Sequence, residues 1–188
     1  LEVRNKGGHS SVPTRDNAIY HLAHALARLA AYDFPVELNE VTRASFARSA
    51  EIEGGVRGED MALVLREPPD PGALRRLAEQ PSYNAMLRTT CVATRLEGGH
   101  ADNALPQTAR ATVNCRILPG HSTEEVRAEL ARVIDDTEVT ITAIEKDTSA
   151  PASPLDPGIL QTVERITAQM WPGVPVLVTM STGATDSR

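Results

Sequence analysis

The chain has 188 residues, 41% of them apolar and 23% charged, with aromatics at only 3% and a formal net charge of −6. These proportions describe a globular chain rather than a disordered one, with a core that Ala, Val, Leu and Ile must build. No cluster of Lys and Arg offers the basic face that phosphate binding needs, which speaks against nucleic acid, and no apolar run reaches the roughly 20 residues of a membrane-crossing helix.

In chain order, Leu1 to Lys6 reads as the tail of a strand, with Leu1 and Val3 on one face. The loop Gly-Gly-His-Ser-Ser-Val-Pro follows at residues 7–13. Asp16 is the expected N-cap of a first helix, because Ile19, Leu22, Leu26 and Leu29 recur at helical spacing and Ala23 and Ala30 fill the stripe. His21 and His24 fall outside the centre of that stripe and have no acidic or cysteine partner one turn away, so both read as surface residues. From about residue 34 to 86 the pattern is irregular: helical pieces are broken by Gly54-Gly55, Gly58 and Pro68-Pro69, as in an insertion between core elements. One piece is sharp, with Asp70 as cap, Pro71 in the first turn, and Leu74 and Leu77 facing inward.

The β-branched run Leu87 to Gly99 predicts a strand, and residues 107–120 predict its partner. There Ala109, Ala111, Val113, Cys115 and Ile117 alternate with Arg110, Thr112, Asn114 and Arg116, the period of a half-buried antiparallel strand. A symmetric hairpin register sets Cys91 near Cys115; two small apolar residues in a sheet is the preferred reading, and a single bridge the other. Ser122 and Glu125 form a capping box ahead of a second helix with Val126, Leu130, Val133 and Ile134 in its stripe. "EVTITAIEK" predicts another strand. Strand, helix, insertion, strand, strand, helix, strand is the order of a ferredoxin-like α+β sandwich, a four-stranded antiparallel sheet with two helices on one face. After a Pro-rich linker, Asp156-Pro157 starts a further helix, and the apolar "VPVLVTM" predicts a strand of the kind found in α/β layers. The expected division is residues 1–148 and 149–188, the second belonging to another domain of a longer protein.

Among residues that carry chemistry, His9 stands between a glycine pair and two serines. Presented by such a loop, an imidazole can stabilise an oxyanion or act as acid or base; it can equally be a surface histidine at a helix entry. Arg116 ends the polar face of its strand, where a guanidinium can hold a carboxylate through paired hydrogen bonds or simply be solvated. Asn103 can contact substrate or shape its turn. His100 with Asp102, and His121 near Glu124 and Glu125, lack the further ligands of a metal site, and no H-E-x-x-H, C-x-x-C or G-x-S-x-G is present.

Together, "GGHSSVPTRDNAIYHLAHALARL", "LRTTCVATRLEGGHADNALPQTARATVNCRILPG" and "STGATDSR" resemble the dinuclear-zinc family of carboxypeptidase S, glutamate carboxypeptidase, aminoacylase and succinyl-diaminopimelate desuccinylase, the carboxypeptidase S branch above all. The resemblance implies the inserted lid and dimerisation domain of a homodimeric zinc peptidase or amidohydrolase acting on peptides or N-acyl amino acids. It implies that His9 stabilises the tetrahedral intermediate, often in the partner subunit's site, and that Asn103 contacts substrate. Arg116 would hold the substrate's carboxylate, while Gly183 and Thr185 line the substrate site. The family's zinc ligands and general-base glutamate have no counterpart in these residues, so two zinc ions are expected in the parent catalytic domain and none here, with the isolated fragment inactive. A ferredoxin-like regulatory or oligomerisation module without a catalytic part is the alternative.

Overall fold

Alternating β-branched segments assemble into an α+β structure in a computed structural model that describes residues 1–144 and 151–181. Strands β1 (Glu2–Arg4), β3 (Thr90–Gly98), β5 (Thr108–Arg116) and β6 (Val139–Thr140) form one antiparallel sheet in the order β3-β5-β1-β6. A second, two-residue pairing joins β2 (Gly8–His9) to β4 (Ala104–Leu105). The described helices are α1 (Ala18–Ala30), α2 (Glu40–Glu53), α3 (Gly55–Leu63), α4 (Pro71–Ala78), α5 (Pro81–Leu87), α6 (Thr123–Ile134) and α7 (Pro157–Met170).

The chain divides into two compact units, Leu1–Phe34 with Thr89–Ala150, and Pro35–Arg88 with Pro151–Arg188. In the first, Val3, Ala109, Ala111 and Val139 line one face of the sheet and are buried against Ala18, Leu22, Ala25 and Leu29 of α1 and Val126, Leu130 and Ile134 of α6. The cross-strand neighbours Val3 and Ala109, and Val3 and Val139, keep that face apolar across three strands. The capping box at Ser122 and Glu125 starts α6 as expected. At the other end of α1, Tyr32 O–H donates to Glu129, Arg132 pairs with the same carboxylate at 2.7 Å, and together the Arg132 and Tyr32 bonds hold Glu129 down to about 2. The second unit has its own core of Phe46, Met61, Val64, Ala73, Leu77 and Leu87.

Several expectations need correction. The middle segment is more regular than its glycines and prolines suggest. Gly58 lies inside α3 rather than ending it, because a Cβ there would come 2.7 Å from the Ala50 carbonyl oxygen of α2. The residue is small for close helix packing, not for a break. Asn17, not Asp16, caps α1, accepting a hydrogen bond from Ile19 N–H at 2.8 Å. Among the described residues of "EVTITAIEK", 138–144, the strand shrinks to Val139–Thr140, since β1 offers it only Glu2 and Val3 as partners. Residues 174–181 form no strand; among the described residues no strand pairs with this run, and an extended segment gains its backbone bonds only from such a neighbour. Helix α7 starts at Asp156 as expected, yet none of its residues is buried.

Cys91 and Cys115 form a disulfide, against the preferred reading of two small apolar residues. The hairpin register places them directly opposite each other with Cα atoms 4.1 Å apart, the close spacing of a non-hydrogen-bonded pair. One bulge between Ala93 and Arg95 shifts the rest of β3 relative to β5.

His21 also departs from the surface residue expected of it. Its Nδ1 lies 2.6 Å from Asp136 Oδ2 and its Nε2 3.4 Å from Asp16 Oδ1. The Asp136 hydrogen bond, aided by both negative charges, raises the His21 pKa despite some desolvation. Asp136 is pushed up by burial, but bonds from His21 and from Glu138 N–H outweigh this and leave it below its ordinary value. The signs then follow by linkage. The stabilisation from a raised His21 is complete below the unfolded value near 6.5 and is lost as pH rises through the folded value. That from a depressed Asp136 is present above about 3.9 and is lost as pH falls through its folded value. The urea midpoint of the chain is therefore expected to decline above about pH 6.5, and His21→Gln to flatten this limb. An identical alkaline slope in both proteins would remove His21 as its cause.

Candidate functional site

The loop carrying His9 is built from backbone bonds at every turn. Asn5 N–H donates to the Gln107 carbonyl at 2.9 Å, Gly8 and His9 pair with Leu105 and Ala104, and Ser10 N–H donates to the Asn103 carbonyl at 2.9 Å. Gly7 has φ +70, and a Cβ there would meet Gln107 Cγ at 2.6 Å, so the chain passes this point only as glycine. At the base of the loop, Asn5 Oδ1 accepts from Gly7 N–H at 3.3 Å and Asn5 Nδ2 donates to Asp16 Oδ1 at 2.6 Å.

This framework brings His9 and Asn103 together. Asn103 Nδ2 stands 3.2 Å from His9 Nε2, and both residues are exposed, so an incoming molecule can meet them side by side. On the other ring nitrogen, His9 Nδ1 lies 2.7 Å from Ser11 Oγ and 3.2 Å from Ser11 N. The serine contact was not foreseen from the sequence. The only signal available was its place two residues after a histidine, where a turn can fold a side chain back.

Arg116 is exposed at the last position of β5, with Thr90 as its cross-strand neighbour, next to the Cys91–Cys115 pair. It does not join His9 and Asn103. Those two stand beyond the first residue of β5, Thr108, whereas Arg116 is the last, and eight rises of an antiparallel strand cover about 27 Å. Gly183 and Thr185 lie outside the described residues. Among the described residues no group of three or more His, Cys, Asp or Glu could hold a metal ion. No helix described is long and apolar enough to cross a membrane.

The peptidase dimerisation domain of M20 enzymes matches residues 1–142, and the chain belongs to that family. The probable carboxypeptidase S-like 2 of Dictyostelium discoideum is 32% identical, covering all of this chain and 36% of that protein. Human N-fatty-acyl-amino acid synthase/hydrolase PM20D1 is 30% identical, covering all of this chain and 38% of its own. Carboxypeptidase S of Saccharomyces cerevisiae is 27% identical, over 67% of this chain and 23% of its own. Among solved structures, the M20 family metallo-carboxypeptidase Sso-CP2 from Sulfolobus solfataricus shares 20% identity at a TM-score of 0.42, covering 72% of this chain and 38% of that one. The chain thus spans little more than a third of the length of the first two of these relatives.

Proposed function

We propose that this chain is the lid and dimerisation part of a homodimeric peptidase or amidohydrolase that cleaves an amide next to a free carboxylate, in peptides or N-acyl amino acids. In this reading the sheet with α1 and α6 is a ferredoxin-like sandwich. Residues 1–148 form the lid and dimerisation part, and 149–188 lead into the catalytic part. The relatives' names support the substrate class, since a carboxypeptidase substrate and an N-fatty-acyl amino acid share an amide beside a carboxylate. Two zinc ions in the catalytic part of the whole protein belong to the same reading. The roles assigned to this chain in that reading are binding and charge stabilisation.

The separation of about 27 Å along β5 carries the proposal. An amide and a carboxylate one residue apart cannot bridge that distance. One site therefore contains both groups only if His9 and Asn103 come from one protomer and Arg116 from its partner. The outer edge of β3, with Val92 and Leu96 62% and 68% exposed, offers an unpaired strand on which a second copy can add.

Complementation in the full-length protein tests this arrangement. His9→Ala and Arg116→Ala homodimers are each expected to be nearly inactive. Random reassortment makes half the dimers mixed, and one of the two sites in each mixed dimer is then intact, so about a quarter of the wild-type activity should return. No recovery on mixing would mean that both residues serve the same protomer's site. Full activity of both variants alone would leave an oligomerisation module without a catalytic part.

A further inference from the structure

The His9 loop contains a residue whose position bears on chemistry rather than on folding. Val12 N–H donates to the His9 carbonyl at 2.9 Å and closes a tight turn over Ser10 and Ser11. The turn folds Ser11 back beneath the imidazole of His9. Its two neighbours within the motif act differently: Ser10 N–H holds the Asn103 backbone, whereas Ser11 addresses the ring through both its N–H, at 3.2 Å, and its Oγ, at 2.7 Å, with Nδ1 as the common target.

A backbone amide can only donate. Nδ1 is therefore the acceptor, and a neutral imidazole with Nδ1 accepting carries its proton on Nε2. We propose that Ser11 is a positioning residue that fixes His9 as the Nε2–H tautomer, so that the ring presents a hydrogen-bond donor on its outer, Asn103-facing side. The proposal rests on the oxyanion role assigned to His9 above. A developing oxyanion needs a donor already aimed at it, and the wrong tautomer offers a lone pair instead. No proton is transferred in this role; Nε2–H donates a hydrogen bond and keeps its proton. Asn103 Nδ2 is the atom that stands 3.2 Å from Nε2, and an amide nitrogen can only donate, so the Nε2–H tautomer requires the exposed carboxamide to turn over, with Oδ1 accepting from Nε2–H until a substrate oxygen takes its place.

The test uses full-length protein labelled with 15N at histidine, with the His9 signals identified by their loss in His9→Ala. At about pH 8.5, where an ordinary imidazole is neutral, long-range 1H–15N correlation distinguishes the two tautomers by their nitrogen shifts. Wild-type His9 is expected to show a protonated Nε2 and an unprotonated Nδ1. Ser11→Ala removes the hydroxyl and should move the tautomer ratio about fivefold toward Nδ1–H, the weight of one net hydrogen bond. Ser11→Thr keeps the hydroxyl and should restore it. In the same proteins Ser11→Ala is expected to lower kcat severalfold with KM nearly constant, and Ser11→Thr to recover it. Ser11 is exposed and the loop is held by backbone bonds, so neither variant threatens the fold. A protonated Nδ1 in the wild type overturns the proposal, as does an unchanged tautomer ratio in Ser11→Ala. An unchanged kcat in His9→Ala would instead overturn the oxyanion role, leaving the NMR result to judge Ser11 by itself.

Discussion

His9→Ala in the full-length protein is expected to lower kcat by about a hundredfold or more while KM changes by no more than a factor of a few. The reasoning starts from where charge appears. An amide oxygen in the bound substrate is nearly neutral, and only when the carbonyl is attacked does it become an oxyanion. A donor aimed at that oxygen therefore strengthens its bond on the way to the transition state and contributes little to ground-state binding. The structure also separates loss of chemistry from loss of folding. The His9 side chain is exposed, and its loop is held by the Asn5, Gly8, His9 and Ser10 backbone bonds, none of which alanine removes. Steady-state kinetics with an N-acyl amino acid or a dipeptide is the measurement. A raised KM at constant kcat would recast His9 as a ground-state contact. Unchanged values of both would reduce the loop to architecture.

The second large effect concerns stability. Replacing Cys91 and Cys115 together by Ala, or reducing their bond, is expected to lower the unfolding free energy by about 3 kcal/mol. The bridge spans a sequence separation of 24, and holding those ends together removes conformations that the unfolded chain would otherwise gain. The folded sheet has less to lose, since β3 and β5 are paired along most of their length by their own ladder. Urea unfolding with and without reductant measures the difference. A change below about 1 kcal/mol would show that the reduced, unfolded chain still keeps this hairpin partly closed.

The elements most legible in the sequence were those whose determinants lie within a few residues of one another. The box of Ser122 and Glu125, the Asp70-Pro71 and Asp156-Pro157 helix starts, and the alternation along β5 are all local, and all appear in the structure. What was not legible depends on partners far away in the chain. Asp16 and Asn17 are both good caps, and the choice falls to Asn17 while Asp16 is bonded to Asn5 and lies against His21. His21 meets Asp136 across 115 positions, which no helical spacing can reveal. The Cys pair depends on the register of a hairpin whose loop length allowed more than one. The same division runs through the site. Its histidine, asparagine and arginine stood out through motifs, whereas the pairing of His9 with Asn103 and the exclusion of Arg116 from that pair follow only from how β2, β4 and β5 are laid out.

Strand β5 also acts as a ruler. Its ends carry the two groups proposed to meet a substrate, so in the proposed homodimer the number of residues between them sets a length that both protomers would share. Two further residues would lengthen the ruler by about 7 Å and leave every side chain on its own face. A single one would turn Arg116 to the opposite face while the start of the strand stayed in place. Change along this segment would thus be confined to even steps, and under the proposed arrangement each step would have to be matched by the spacing of the two catalytic parts.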